Sequence, residues 1–241
     1  MKQFFKYVFA SFVGTLLFSI IMGCFAFISI IGMIASTQTT NEIKDNSVLV
    51  LNLSGQLTER SEDNNIISQL QGKIGTIGLD NLLSAIDKAK NNKNIKGIYI
   101  EAGAFTADSY ASLQAVRNAL VDFKKSGKWI ITYADIYTQG TYYLSSSANK
   151  VYLNPQGQID WHGLSSQPVF VKDLLKKFGV KMQVMKVGTY KSATEMFTGD
   201  KMSDANREQT SAYLNSIWGN ITKDVSATRN ISVSSLNAYA D

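Results

Sequence analysis

The chain has 241 residues, of which 45% are apolar and 18% are charged, a balance that is typical of one globular domain with an appendage. Its net charge of +5 includes Lys2 and Lys6 at the N-terminus, so the remainder is only mildly basic. The sequence contains no cluster of Lys and Arg, which argues against nucleic-acid binding. One cysteine, Cys24, excludes a disulfide framework within the chain.

The first predicted element is an uncharged, apolar segment over residues 7–35. It is longer than the ~20 residues that span a bilayer, whereas a cleaved signal peptide has an apolar core of only about 7–15 residues. We therefore predict that residues 1–36 form a cytoplasmic stub and a retained transmembrane anchor. Because Lys2 and Lys6 precede this segment, the positive-inside rule predicts a cytoplasmic N-terminus and an exported remainder.

A polar linker is predicted over residues 37–46, and an alternation of strands and helices follows it. Residues 61–78 are polar with scattered glycine, which predicts a loop. Strands that alternate with helices of ordinary length predict parallel βαβ units, and therefore an α/β fold. The predicted strands are 48–53, 95–101, 129–133, 151–153 and 181–187. The predicted helices are 79–91, 110–123, 140–148, 172–178, a long helix capped by Ser203, and 234–241.

The stretch with the most chemical content is residues 184–209. Lys191 stands between the predicted strand 181–187 and the spacing Ser192-x-x-Glu195, which is typical of a capping box at a helix start. A lysine at such a corner lies near the positive end of a helix dipole. This position and burial would both favour the neutral amine, the form that a general base needs. A solvated lysine without a chemical role is the alternative.

The sequence of residues 188–209, GTYKSATEMFTGDKMSDANREQ, resembles the lysine segment of the SppA family of signal peptide peptidases in its long, two-repeat bacterial form. The similarity continues through YTQGTYYL at residues 137–144 and DWHG at residues 160–163. It is specific around Lys191 and diffuse before about residue 48. The resemblance implies that the fold is of the ClpP/crotonase type and that residues 47–241 form the first of two repeats, with a second repeat missing.

The resemblance also assigns roles to single residues. It implies that Lys191 is the general base of a Ser/Lys dyad, with Tyr190 and Ser192 as neighbours that could bond to its amine. The family's serine lies in a Ser-Gly-Gly-Tyr-Tyr-like segment, and Gln139 occupies the matching place here. A carboxamide cannot attack a peptide carbonyl, so the nucleophile is expected from the second repeat. A glycine turn around Gly103, after the strand 95–101, is a candidate source of oxyanion donors.

The resemblance implies a membrane-bound serine endopeptidase that degrades cleaved signal peptides and other apolar peptides, inactive as this fragment alone. It also implies a homo-oligomer in the bacterial inner membrane, with the α/β domain on the outer side. We expect no cofactor and no metal, because one His and one Cys cannot complete an ordinary zinc site. His162 has a structural interpretation as a partner of Asp160. The alternatives are a non-catalytic, membrane-tethered scaffold and, less compatibly with export, acyl-CoA chemistry.

Overall fold

A computed structural model describes residues 2–37, 42–60 and 75–241 of the chain. The chain divides into two compact units, Met1–Lys44 and Asp45–Asp241. The first unit contains one helix, α1 (Lys2–Thr37). Within it, Gln3–Ile31 is long and apolar enough to cross a membrane. This finding confirms the predicted apolar helix and fits a single-pass anchor. Of the predicted linker, residues 38–41 lie outside the described residues.

The second unit is a parallel α/β sheet with helices between its strands. Its described strands are β1 (Ser47–Thr58), β2 (Thr76–Gly78), β3 (Ile95–Ala107), β4 (Trp129–Tyr137) and β5 (Lys150–Ile159). Its described helices are α2 (Leu79–Asn91), α3 (Tyr110–Lys124), α4 (Gln139–Ser145), α5 (Lys172–Lys177), α6 (Glu195–Thr198), α7 (Asp204–Arg229) and α8 (Val233–Ala238).

The sheet has the strand order β2-β1-β3-β4-β5, and every neighbouring pair is parallel. Parallel neighbours need a crossover connection, and the helical spacing in the sequence supplies one between β3 and β4 and between β4 and β5. The predicted α/β class is therefore confirmed. Its core consists of fully buried aliphatic and aromatic side chains, among them Leu57, Ile98, Ile100, Leu120, Phe123, Ile130 and Leu144.

Strands β3 and β4 separate towards their carboxyl ends. Their pairing runs from Gly97↔Trp129 to Glu101↔Tyr133 and then stops. Beyond that point β3 continues beside β1, and β4 continues beside β5. A crevice of about 360 Å³ lies between the two diverging ends, over residues 101–104 and 133–136. Ligands in open α/β sheets bind at this end of the strands, so the crevice is the first place to look for a site.

A buried arginine joins three helices of this unit. Arg117 of α3 is 2% exposed, donates to the carbonyl oxygens of Tyr143 and Asp224, and lies 5.0 Å from the Tyr143 ring centre. The Tyr143 hydroxyl donates to Asp224 Oδ2 at 2.6 Å. Burial, together with this bond to Asp224, raises the pKa of Tyr143. Arg117 follows the core residue Leu113 by four positions, and this spacing placed it on the buried face of the helix.

Several predicted boundaries differ from the structure. The strands are longer than predicted, and the end of the predicted loop 61–78 is the short strand β2, while residues 61–74 lie outside the described residues. The predicted final helix over 234–241 is Val233–Ala238. The predicted strand 181–187 is wrong, because these residues form neither a helix nor a strand and belong to no described sheet.

Candidate functional site

Lys191 lies at an exposed corner of the chain. The corner begins at Gly188, whose φ of +100° is a left-handed conformation that L side chains rarely adopt. A Cβ atom at Gly188 would lie 3.9 Å from Lys191 Cγ, so the lysine stem passes directly over the glycine. Among the described residues, no hydrogen bond or ion pair involves the Lys191 amine. The amine is therefore available for chemistry with a group outside the described chain.

The predicted capping box at Ser192 and Glu195 is wrong. Helix α6 begins at Glu195 with Thr194 as its N-cap, and the N-cap side chain makes no capping bond. Ser192 contributes its backbone oxygen, which accepts from Glu195 N at 2.9 Å. Because α6 has four residues and starts four positions after Lys191, the expected helix N-terminus does not act on the lysine.

The Glu195 carboxylate instead caps the next helix, α7. It accepts hydrogen bonds from the Ser203 hydroxyl at 2.6 Å, from Ser203 N at 3.2 Å and from Asn206 Nδ2 at 3.1 Å. The bonds from Ser203 are the largest cause that lowers the pKa of Glu195. Ser203 caps α7 as predicted, since its hydroxyl accepts from Asn206 N. The segment that carries Lys191 is thus fixed at its C-terminal side by a charged cap.

The two neighbours of Lys191 make other contacts. The Tyr190 hydroxyl donates to Glu208 Oε2 at 3.2 Å, and this hydrogen bond raises the pKa of Tyr190. Ser192 is half-buried. None of the described hydrogen bonds joins either side chain to Lys191. Their proposed role beside the amine stays a prediction.

Gln139 lies at the start of α4, directly after β4, and only 3% of it is exposed. Its amide nitrogen donates to the Tyr110 hydroxyl at 3.0 Å and to the Gly163 carbonyl at 3.1 Å. Its amide oxygen accepts from His162 N at 3.2 Å and from Gly163 N at 2.9 Å. The carboxamide is therefore fully hydrogen-bonded, and it fastens the segment around residues 162–163 to the end of the sheet.

Gly103 lies inside β3 and not in a turn after it, so the predicted location is wrong. The pairing of β1 with β3 shifts register between Leu53↔Ala102 and Gly55↔Phe105 and then continues. A Cβ atom at Gly103 would lie 3.3 Å from the Leu53 carbonyl oxygen, so the two backbones approach closely here. Gly103 lines the crevice between β3 and β4 together with Ala134 and Thr138.

Three consecutive serines lie in the core at the C-terminal end of α4 and directly after it. Ser145, Ser146 and Ser147 are fully buried, and each hydroxyl makes a hydrogen bond within the unit. Their role is therefore that of small packing residues in the core. His162 is exposed, and its Nε2 lies 3.6 Å from Asp160 Oδ2. In the described ranges, no group of three or more His, Cys, Asp or Glu side chains could hold a metal ion.

The structure does not bring the predicted site residues into one cluster. Lys191 is at an exposed corner, Gln139 is buried at the start of α4, and Gly103 lines the crevice. Sequence reasoning missed the crevice itself, because separation of two strands depends on their partners and leaves no local signal. One signal was available in the sequence. Residues 102–107, AGAFTA, continue the strand pattern and indicate that β3 extends beyond Glu101.

Residues 122–241 match the sequence model of Peptidase family S49. The chain is 38% identical to Protease 4 of Salmonella typhi over 192 residues, which are 76% of this chain and 31% of that protein. It is 33% identical to Protease 4 of Haemophilus influenzae over 213 residues, which are 85% of this chain and 34% of that protein. The chain thus spans about a third of the length of the curated relatives it matches.

Among solved structures, an enoyl-CoA hydratase of Geobacillus kaustophilus matches with a TM-score of 0.29 and 14% identity. The match covers 67% of this chain and 75% of that one. A similarity of this size does not bear on function.

Proposed function

Because residues 122–241 of the chain match the sequence model of Peptidase family S49, we propose that the chain provides the general-base half of a membrane-bound Ser/Lys endopeptidase. The observation that carries this proposal is Lys191. It lies within the matched residues, its amine is exposed, and it has no partner among the described residues. In this proposal residues 47–241 form the first of two α/β repeats, and the second repeat supplies the serine.

The nucleophile is not Gln139, because a carboxamide has no hydroxyl or thiol that could attack a carbonyl. Its four hydrogen bonds give it a structural role instead. Ser145, Ser146 and Ser147 are buried in the core, where a peptide cannot reach them. Both facts support a serine from outside the described unit.

The chemistry assigned to Lys191 is proton transfer. Its neutral amine accepts the proton of the serine hydroxyl while the serine oxygen forms a bond to the scissile carbonyl carbon. The resulting oxyanion is stabilised by backbone N–H groups. When the tetrahedral intermediate collapses, the C–N bond breaks and the Lys191 ammonium returns the proton to the leaving amine. Water then hydrolyses the acyl-enzyme with the same amine as the base.

Lys191 needs the neutral form for this reaction, and its corner provides neither burial nor a helix N-terminus. The surface that brings the serine would also cover the lysine. Removal of water from an ammonium disfavours its charged form, so the same contact would complete the dyad and activate the base. Formation of the site and its activation would then be one event.

The proposed substrates are cleaved signal peptides and other apolar peptides. The helix α1 supports this class, because it keeps the domain next to the membrane that receives such peptides. The crevice between β3 and β4 supports it too, since Ala102, Gly103, Ala104 and Ala134 form a mostly apolar lining. We place the protein in the bacterial inner membrane as a homo-oligomer, with a cytoplasmic N-terminus and the α/β unit on the outer side.

A non-catalytic, membrane-tethered scaffold is the second candidate. Gln139 favours this candidate, because the side chain at the position of the family's nucleophile is buried and hydrogen-bonded in this repeat. In this alternative, Lys191 is a solvated surface residue.

The test measures cleavage of an apolar reporter peptide by the protein in membranes of its source organism. We expect Lys191→Ala to lower the rate to background with the protein still present at its normal level. The matched control is Lys201→Ala, an exposed lysine ten residues after Lys191, which should cleave like the wild type. Equal activity of Lys191→Ala and wild type would favour the scaffold.

A further inference from the structure

Residues 180–187 form a segment outside the described helices and strands, and it exposes large apolar side chains. Met185 is 95% exposed and Val187 is 90% exposed, while Val180 and Met182 are each more than two-fifths exposed. Single exposed apolar residues are ordinary on protein surfaces, but a contiguous group marks an interaction site.

The backbone of this segment is also without partners. Residues 181–187 take part in none of the backbone hydrogen bonds among the described residues and pair with no described strand. Yet the sequence KMQVMKV has the composition of a strand, and it places apolar side chains on both faces: Met182 and Val184 on one, Met185 and Val187 on the other. Strands that are apolar on both faces are typical of sheets that are covered on both sides.

The described sheet offers a matching edge. Strand β5 is last in the strand order, so one side of its backbone has no neighbour among the described strands. Tyr152 and Leu153 of β5 are 49% and 36% exposed, and as consecutive residues they point to opposite faces. Pro155 lacks an N–H, which limits further pairing at this edge to residues 150–154. This part of β5 is thus an open edge with apolar side chains on both faces.

We propose that residues 181–187 of one copy of the chain add as a strand to residues 150–154 of β5 in a second copy. Such strand addition satisfies the free backbone groups of both segments. It also covers the apolar side chains that both expose. The inference rests on the assembly part of the proposed function and gives that assembly a defined contact, but it does not depend on the Ser/Lys dyad.

Charge favours this contact over one in which the segment meets itself. Residues 172–191 contain six lysines and one acidic residue, Asp173. A symmetric contact would therefore place basic side chains against each other. The β5 edge instead lies near Asp135, which accepts a hydrogen bond from Asn154 Nδ2 at 2.7 Å, and near Asp160. A contact between two different surfaces of identical chains either closes into a ring or extends into a filament.

Cysteine cross-linking of the full chain in detergent tests the contact. Cys24 is first replaced by serine so that each protein has one cysteine. Chains with Tyr152→Cys or Leu153→Cys are mixed with longer-tagged chains with Met182→Cys or Met185→Cys, and a mild oxidant is added. Paired strands hold opposite Cα atoms about 4.5–5.5 Å apart, which suits a disulfide.

We expect at least one of the four mixtures to give the disulfide-linked heterodimer several-fold above any single variant oxidised alone. The matched control carries Tyr213→Cys, at an exposed position of α7, instead of a cysteine at position 182 or 185. It should not cross-link to a cysteine at position 152. The double substitution Met185→Asp and Val187→Asp should reduce the oligomer mass in light scattering, whereas Tyr213→Asp should leave it unchanged.

Other results would overturn the proposal. A monomeric mass, or an oligomer that gives no cross-link in any mixture, would mean that another surface makes the contact. Cross-links between two chains that both carry Met185→Cys would indicate that the segment pairs with itself. Protection of position 185 from maleimide without any cross-link to β5 would mean that a different partner covers it. Adding Lys191→Ala to the cysteine variants should leave their cross-linking unchanged. This comparison separates failure of the strand contact from failure of the dyad.

Discussion

At the scale of single residues, the side chain at position 139 determines whether this position could supply a nucleophile. The sequence indicates that Gln139 cannot be a nucleophile, and this conclusion follows from its functional group alone. What the sequence could not show is the use of the carboxamide, because its four partners lie on Tyr110, His162 and Gly163, far away in the chain. The side chain that the resemblance aligns with the family's serine instead holds Gly163 against the start of α4.

The hydrogen bonds of Gln139 give a first prediction. Gln139→Glu should lower the free energy of unfolding by about 1–3 kcal/mol at neutral pH, because the new side chain cannot donate to the Gly163 carbonyl and Tyr110 hydroxyl. The loss should shrink in acid, where the introduced carboxyl regains a proton and one donor. Urea denaturation of the full chain in detergent measures both effects.

The matched control is Gln114→Glu, the same change at an exposed position of α3. It should stay within about 0.5 kcal/mol of the wild type. If both variants are equally stable, the hydrogen bonds of Gln139 contribute no more than solvent does.

At the scale of elements, sequence reasoning found the alternation of strands and helices but misjudged where pairing partners are needed. Helix α2 and the cap of α7 were predicted correctly because their signals are local: helical spacing and a serine N-cap. The strand at 181–187 has the right composition but no partner among the described residues. A strand-like composition indicates that the side chains of a segment pack within a sheet. The neighbouring strand that buries them can belong to another chain.

The charged cap of α7 gives a prediction with a pH dependence. Hydrogen bonds from Ser203 and Asn206 hold the pKa of Glu195 below its ordinary value of 4.5. For a carboxyl group whose folded pKa is depressed, the stabilisation is complete above the unfolded pKa and is lost as pH falls through the folded one. Glu195→Gln should therefore lower the thermal midpoint at pH 7, and the difference from wild type should diminish below about pH 4.

Glu101→Gln is the comparison for this series, because the Glu101 side chain is exposed and its carboxylate accepts none of the described hydrogen bonds. Its midpoint should follow the wild type at every pH. A difference between Glu195→Gln and wild type that stays constant down to pH 3 would show that the charge of Glu195 does not stabilise the cap.

The end of α2 gives a prediction of a different kind. Lys128 Nζ donates to the carbonyl oxygens of Ala89, Lys90 and Asn92 at 2.6, 2.8 and 2.7 Å. A lysine from outside the helix thus satisfies the last carbonyl groups and complements the negative helix end. Lys128→Met should cost about 1 kcal/mol in unfolding free energy. Lys88→Met, at an exposed lysine in the last turn of the same helix, should cost measurably less.

At the scale of the whole molecule, two features of the sequence and structure agree. The apolar helix α1 could cross a membrane, and the Asp45–Asp241 unit folds as a parallel sheet of its own. The resemblance in the sequence pointed to a peptidase family before any geometry was known, and residues 122–241 match the sequence model of Peptidase family S49. The completed site could not be derived from one unit, because none of the described hydrogen bonds joins a serine hydroxyl to the Lys191 amine.

The proposed topology gives the last prediction. With Lys2 and Lys6 ahead of the apolar segment, the N-terminus should stay in the cytoplasm, and the α/β unit should lie on the outer face of the inner membrane. In a Cys24→Ser background, Tyr213→Cys should therefore react with a membrane-impermeant maleimide in cells with a permeabilised outer membrane. Gln3→Cys should react only after lysis of the inner membrane. The reverse pattern would place the α/β unit in the cytoplasm, where cleaved signal peptides released towards the outer face could not reach Lys191.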